Sequence, residues 1–278
     1  MRKFLIFAAF LAIFTMPAGA RDGPDYLPRP DGKYDYNNFF ADPEQNGMEK
    51  AINAVAEIIV EAFYKGPEGV ELKKTYGGGG VIVGERYVLT VAHILSTQEF
   101  YIQTSKPEVR LYPKKRENIF LLKNGVRYPL NKIFADKEND IALLETPFWI
   151  SFNSFPYPFG NSDDLRVGNL IYALGSPLSI GVNMREGVVS SLQAPDIVSG
   201  AASKKENAFM ISRSLAPGDS GSPVIAIRDG KYEIVGLAQG LIREGGGAGV
   251  IGFAIKISVV KKILKANLSP EIFEKLGF

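Results

Sequence analysis

Three residues whose types together can transfer an acyl group lie far apart in the chain. They are His93 in VLTVAHIL, Asp140 in KENDIALLE and Ser220 in APGDSGSP. A serine hydroxyl attacks a carbonyl only when a base takes its proton, and an imidazole acts as that base when a carboxylate orients it. Each residue alone has a plain structural explanation, because Asn139-Asp140 and the Ser220 segment are typical of turns. Together, with His93 as the one histidine of the chain, they favour acyl-transfer chemistry.

The turn around Ser220 is also suited to binding a negatively charged oxygen. Gly218 has no side chain to obstruct the turn, so the backbone N–H groups of Gly218 and Ser220 can point at one spot and form an oxyanion hole. One turn would then supply both the nucleophile and the groups that stabilise the charge it creates.

These residues are embedded in many short strand patterns. Short β-branched or aromatic runs alternate with glycine, proline, asparagine and aspartate, as in GVIVG, RYVLTV, IALLE, LIYALG, SPVIAI and GVIGFAI. Helices do not alternate with these runs, so the pattern predicts an all-β barrel or sandwich. Residues 48–64 fit either a short helix running into a strand or one longer helix. Residues 258–278 predict a terminal amphipathic helix with Ser258 as its N-cap.

The first 20 residues have the layout of a secretory signal peptide. Arg2 and Lys3 precede an apolar run from Phe4 to about Met16, and Ala18-Gly19-Ala20 is a suitable cleavage site. The alternative, an uncleaved anchor, would need roughly 20 apolar residues. We therefore expect export to the periplasm or the medium, with no stable membrane insertion after cleavage. Residues 21–47 are rich in proline, glycine and aspartate and predict an extended arm or a pro-region.

Composition disfavours several other functions. Removal of residues 1–20 takes two of the 32 basic residues and none of the 30 acidic ones, so the mature chain is near neutral and nucleic-acid binding is disfavoured. The basic cluster at 114–116 is predicted to be a solvated loop. With no cysteine and one histidine, neither a disulfide scaffold, a metal site nor a cofactor is predicted. The glycine runs at 77–80 and 245–249 lack the P-loop pattern and are predicted to be turns.

The segments VLTVAHIL, NDIALLE and PGDSGSPV resemble the three signature segments of trypsin-like serine endopeptidases of the chymotrypsin fold, in the order His, Asp, Ser. The pieces LIYALGSPLSIGVNMREGVVSSL and IGFAIKISVVKKIL are similar to the protease domain of bacterial HtrA-type enzymes. The resemblance implies two six-stranded antiparallel β-barrels and a C-terminal helix within residues 48–278. The boundary between the barrels is expected near residues 150–165.

The resemblance implies a secreted serine endopeptidase that acts on protein or peptide substrates through an acyl-enzyme, in protein quality control or extracellular proteolysis. Two departures from HtrA-type enzymes stand out. No PDZ domain is expected after the protease domain, and Asp219 stands where HtrA-type enzymes usually have asparagine. In trypsin-like zymogens that aspartate pairs with a newly cut N-terminus. No Ile-Val-Gly-Gly activation site is visible here, so Asp219 is expected to support the oxyanion hole by pairing with an internal cation, with Arg213 as one candidate.

The resemblance also points to the specificity pocket. By position its lining is expected to include Ser214, Ala216, Ala238, Gln239 and Gly240. A pocket for arginine or lysine would need a buried carboxylate at the position of Ser214, so a small or medium apolar substrate side chain is predicted.

Two other functions remain open from the sequence. The first is a non-catalytic binding or adhesion module on the same fold, which the intact set of His93, Asp140 and Ser220 argues against, since such residues act as a unit. The second is an exported structural protein whose N-terminal arm mediates assembly. The oligomeric state is not given by the sequence.

Overall fold

The computed structural model shows two β-barrels, each closed by six antiparallel strands. The described residues are 31–35, 47–95, 99–103, 109–177, 180–195, 204–212, 215–243 and 249–278. The predicted signal peptide and most of the predicted arm lie outside these ranges. Within them, no helix has the length and apolar character needed to cross a membrane.

The first barrel contains strands β1 to β7. Six strands follow the order β1-β2-β3-β7-β6-β5, and the pairing of β1 with β5 closes the ring. The remaining strand, β4, pairs with residues 109–113 at the start of β5. The strands are β1 Val55–Lys65, β2 Glu71–Val83, β3 Tyr87–Thr90, β4 Glu99–Gln103, β5 Val109–Lys123, β6 Val126–Asp136 and β7 Ile141–Glu145.

The second barrel contains strands β8 to β13 in the closed order β10-β13-β12-β11-β8-β9. The strands are β8 Leu170–Gly175, β9 Asn183–Ser191, β10 Ala208–Ile211, β11 Pro223–Arg228, β12 Lys231–Arg243 and β13 Gly249–Lys256. The prediction of two six-stranded barrels with a C-terminal helix is thereby confirmed.

The segment with two possible structures, residues 48–64, is a short helix followed by a strand. Helix α1, Gly47–Asn53, ends before Ala54, and β1 begins at Val55. Alternate residues of β1 from Ala56 to Tyr64 are buried, which is the period of a strand. Partners on both edges, β2 and β5, favour the strand over a longer helix.

The terminal segment forms helix α2, Ile257–Asn267, and the short helix α3, Pro270–Lys275. The expected N-cap was wrong, because Ser258 lies inside the first turn of α2. Its backbone N–H donates to Ser162 Oγ at 3.1 Å, so a serine of the linker between the barrels satisfies this helix end. Ile257, Val260 and Leu264 are the buried residues of α2.

Two segments predicted to be loops or turns are parts of long barrel strands. The basic cluster lies within β5, where Lys114 pairs with Glu117 and Arg116 pairs with Glu71 of β2. The glycines at 77–80 lie within β2. A Cβ at Gly79 would come within 2.0 Å of Ser222 Oγ, so close contact with the second barrel, rather than a turn, requires this glycine. Most of the second glycine run lies outside the described residues.

Residues 31–35, which we call the strap, dock on the second barrel. Tyr34 forms a β-bridge with Arg228 and is 2% exposed. Its hydroxyl donates to Glu233 Oε2 at 2.8 Å and accepts from the Asn161 N–H at 2.9 Å. Burial raises the pKa of the Tyr34 hydroxyl above its ordinary value, so this group stays a neutral donor. These contacts tie the strap to β11, to β12 and to the linker between the barrels, residues 146–169.

We expect Tyr34→Ala to lower the free energy of unfolding by about 3–5 kcal/mol, because it removes a buried aromatic ring. Tyr34→Phe should cost about 1–2 kcal/mol, since it removes only the two hydrogen bonds of the hydroxyl. Urea unfolding measures both changes, with Lys33→Ala, at an exposed position of the strap, as the control. Unchanged stability of Tyr34→Ala would contradict the docking of the strap.

Candidate active site

The three candidate catalytic residues come from strand ends that meet between the barrels. Strands β3 and β7 are neighbours, with Thr90 facing Ala142. His93 follows β3 in the 3-10 turn Ala92–Ile94, and Asp140 immediately precedes β7, so the two residues are adjacent. Ser220 lies in the turn before β11 of the second barrel.

Asp140 holds His93 at two points. Asp140 Oδ1 accepts from the His93 backbone N–H at 2.7 Å, and Oδ2 lies 2.7 Å from the ring Nδ1. The Asp140 side chain is 1% exposed, whereas that of His93 is 42% exposed, so the ring reaches from a buried anchor into the open site. A carboxylate at Nδ1 selects the tautomer that leaves Nε2 free to accept a proton. Asp140 has a φ of 58°, an uncommon conformation that its many hydrogen bonds maintain.

The Ser220 turn has the conformation expected of an anion site. Gly218 has a φ of 101°, which favours glycine, and the turn is closed by bonds from Asp219 N to Ala216 O and from Ser222 N to Asp219 O. In the part of the chain that the structure describes, no backbone carbonyl accepts from the Gly218 or Ser220 N–H. Both groups are therefore available for a substrate oxygen.

The Ser220 hydroxyl is in a resting position. It donates to Gln239 O at 3.2 Å, and no hydrogen bond within the described ranges joins it to the His93 ring. Gln239 is the extra residue of a β-bulge, because Ala238 faces Ala254 while Gly240 faces Phe253. The side chain of Gln239 donates to Asp140 Oδ2 at 2.9 Å. This bulged residue thus contacts both Ser220 and Asp140.

Asp219 pairs with an internal cation, as expected, and that cation is Arg185. The candidate named from the sequence, Arg213, lies outside the described residues. Arg185 Nη2 donates to Asp219 Oδ1, and the backbone N–H of Ala216 donates to Oδ2 at 2.6 Å. The two side chains are 14% and 1% exposed, so the ion pair is largely shielded from solvent. Arg185 lies on β9, which fixes the turn to the barrel wall. In the sequence, Arg185 is a single arginine within a predicted strand. A strand prediction does not show which residue lies beside it, so its pairing with Asp219 was not predicted.

The residues predicted to form the specificity pocket are only partly placed to do so. Ser214 lies outside the described residues. Ala238 is fully buried, and the Gln239 side chain is turned toward Asp140. Ala216 and Gly240 are half-buried near the turn and the bulge, so their lining role stays a prediction. Among the described residues, no group of three His, Cys, Asp or Glu side chains could hold a metal ion.

The chain belongs to the family of trypsin-like peptidase domains, since the model of that family matches residues 78–237, more than half of the chain. Among curated relatives, it is 26% identical over 257 residues to a protein of Chlamydia pneumoniae named "Probable periplasmic serine endoprotease DegP-like", covering 90% of this chain and 42% of that protein. It is 27% identical over 237 residues to "Periplasmic pH-dependent serine endoprotease DegQ" of Escherichia coli, covering 78% and 46%. The chain thus spans less than half the length of these relatives.

Solved structures of HtrA-type proteases share the fold. The structure titled "HtrA-type protease AlgW with tripeptide" matches with a TM-score of 0.57 and 20% identity, over 80% of this chain and 62% of that one. The structure titled "HtrA-type protease AlgW with decapeptide" matches with a TM-score of 0.56 and 18% identity, over 79% and 65%. Because the sequences are only 18–20% identical, these structural matches show a shared fold and no more than that.

If Ser220 is the nucleophile, we expect Arg185→Met to reduce its activity by about 100-fold. The reason is that the turn carrying the Gly218 and Ser220 N–H groups, which we call the oxyanion turn, loses its anchor. The variant should also destabilise the fold by about 3–5 kcal/mol, since it leaves a buried carboxylate without its cation. Adding Asp219→Asn to this variant should recover most of the stability, because a neutral amide needs no cation. Thermal unfolding and active-site titration of the single and double variants measure the two effects. Equal stability of Arg185→Met and the unchanged protein would refute the anchoring role.

A second variant separates two roles for Gln239. If its side chain positions Asp140, Gln239→Leu lowers kcat about 10-fold, the effect of one lost hydrogen bond, and leaves KM nearly unchanged. If it lines a substrate pocket instead, KM rises and kcat is kept. Steady-state kinetics on one peptide distinguish the outcomes, with Gln193→Leu at an exposed position as the control.

Proposed function

We propose that the protein is a serine endopeptidase that hydrolyses peptide bonds with Ser220 as nucleophile, His93 as general base and acid, and Asp140 as the residue that orients His93. The observation that carries this proposal is the two-point attachment of His93 to a buried carboxylate, beside a turn whose Gly218 and Ser220 N–H groups have no backbone acceptor among the described residues. Membership of the trypsin-like peptidase family and the similarity to relatives named as serine endoproteases support it.

The reaction begins when the Ser220 hydroxyl leaves Gln239 O and turns toward His93 Nε2. As Ser220 Oγ attacks the carbonyl carbon, its proton passes to Nε2, and the N–H groups of Gly218 and Ser220 stabilise the negative oxygen. His93 then gives the proton to the departing amine, which leaves an acyl-enzyme. Water, deprotonated by His93, hydrolyses the ester and returns Ser220 to its free state.

We further propose that the chain acts outside the cytoplasm on protein or peptide substrates. The signal-peptide pattern of residues 1–20 and the word periplasmic in the names of relatives support export. The titles of the structural neighbours describe complexes with peptides. A role in quality control or extracellular proteolysis and a preference for small or medium apolar side chains complete the proposal. The intact residue set argues against a non-catalytic binding module.

A fluorophosphonate probe, which reacts only with an activated serine, tests the proposal. The purified protein should be labelled, Ser220→Ala should not be, and His93→Ala should be labelled at least about 1,000-fold more slowly, since it lacks the base. Ser190→Ala, at an exposed position of β9, is the matched control and should be labelled at the normal rate. A folded protein that is not labelled, or labelling that persists in Ser220→Ala, would refute the proposed nucleophile.

A further inference from the structure

The loop that carries the proposed orienting carboxylate is closed by the side chain of Asp136. Residues 137–140 join β6 to β7, and Asp136 faces Ile141 in the last strand pair before the loop. Asp136 Oδ1 accepts from the backbone N–H groups of Glu138 and Asn139 at 2.9 and 3.1 Å, and Oδ2 accepts from Asn139 Nδ2 at 2.7 Å. One carboxylate thus satisfies both backbone and side-chain donors of the loop.

The second barrel holds the same loop through Asn207. This residue ends the 3-10 turn Lys205–Asn207, directly before β10. Its side-chain Nδ2 donates to Asn139 Oδ1 at 3.3 Å, although the two residues lie 68 positions apart in the sequence. A chain of hydrogen bonds, which we call the amide chain, therefore runs from Asn207 through Asn139 to Asp136 and joins the two barrels.

The charge of Asp136 fixes the direction of the amide chain. An ionised carboxylate can only accept hydrogen bonds, so the NH2 group of Asn139 must face Asp136. The side-chain oxygen of Asn139 then faces the second barrel, where it needs a donor, and the NH2 group of Asn207 is that donor. Each member of the amide chain thus has the chemical type that its neighbour requires.

Asp140 needs this support because its backbone conformation is uncommon. Its φ of 58° lies in the left-handed region, which a residue with a side chain keeps only when its surroundings fix it. Asn139 directly precedes Asp140, so a loop that relaxed at Asn139 would redirect the Asp140 side chain. That side chain makes two hydrogen bonds of 2.7 Å to His93, and such bonds weaken steeply when they are misaligned.

We propose that the amide chain positions Asp140, and through it the ring of His93, for the reaction at Ser220. The inference rests on the proposed function and adds three positioning residues to it, which act through Asp140. It also gives the second barrel a further hold on this carboxylate, because Gln239 already donates to Asp140 Oδ2 at 2.9 Å. A change in the second barrel at Asn207 is therefore expected to reach His93 in the first.

Reversal of the amide chain tests the proposal. Asp136→Asn places two NH2 groups against each other at Asn139, and Asn207→Asp places two oxygens against each other. Fluorophosphonate labelling should slow about 10-fold in each single variant, roughly the value of one hydrogen bond. Lys137→Ala, at an exposed position of the same loop, is the control and should be labelled at the normal rate.

The double variant Asp136→Asn/Asn207→Asp has the same composition and charge as the parent protein. It restores every donor and acceptor pair once the Asn139 amide turns over, so it should be labelled within about 2-fold of the parent rate. A loss caused only by weaker packing would instead add up in the double variant.

His93 gives an independent signal, because it is the one histidine of the chain. With 15N-labelled histidine, the NMR spectrum of the parent should show one imidazole with its proton on Nδ1, and the double variant should match it. Each single variant should show a mixture of the two neutral tautomers, because the carboxylate no longer selects one of them.

Single variants with the parent labelling rate and the parent tautomer, or a double variant no faster than the slower single variant, would overturn the positioning role. If a single variant does not fold, Asn207→Ala replaces it, since it removes one donor and adds no charge. Its labelling should slow at least about 3-fold, and labelling at the parent rate would overturn the proposal. A folded parent protein that is not labelled would refute the proposed nucleophile, and the imidazole spectra would still decide the positioning role.

Discussion

The close contact of the two barrels at glycine residues is the constraint on which the rest of the site depends. Gly79 N donates to Ser220 O, and Thr90 Oγ1 donates to Gly79 O at 2.6 Å, so the proposed nucleophile of one barrel is tied to the wall of the other. A Cβ at Gly221 would come within 2.1 Å of the same Thr90 oxygen. Because interiors are close-packed, any side chain at these contacts would move Ser220 away from His93.

Two buried carboxylates hold the two parts of the site in place independently: Asp140 holds His93, and Asp219 holds the turn that carries Ser220. Asp140 accepts from the His93 backbone, its ring and the Gln239 amide, which satisfies a carboxylate withdrawn from water. Asp219 is satisfied by Arg185 and the Ala216 N–H. A buried carboxylate that lacks its partners is costly, so each network holds its segment in one arrangement. Among the described residues, the Ser220 hydroxyl bonds neither carboxylate directly and donates to the backbone oxygen of Gln239, so it can change partner.

Local sequence patterns predicted the barrel strands and the candidate triad. They missed the strands and the ion pair that depend on residues far away in the sequence. Runs such as IALLE carry their own strand signal. The basic cluster of β5 is a strand because it pairs with β1, and Glu117 and Glu71 offset the charges of Lys114 and Arg116. Residues 77–80 are a strand because they pair with β1 and lie against the second barrel. Likewise, the sequence pointed to an internal cation for Asp219, but the choice of Arg185 depends on the register of β9 with β8.

The pairing of Asp219 with Arg185 also bears on the N-terminal part of the chain. In an arrangement where a terminal ammonium group must reach this aspartate, the segment before the first barrel has to end at the oxyanion turn. Here a side chain from β9 occupies that place, and the strap lies on β11 instead. Because Arg185 and the Ala216 N–H already satisfy the Asp219 carboxylate, the turn before β11 needs no newly cut chain end to hold its arrangement.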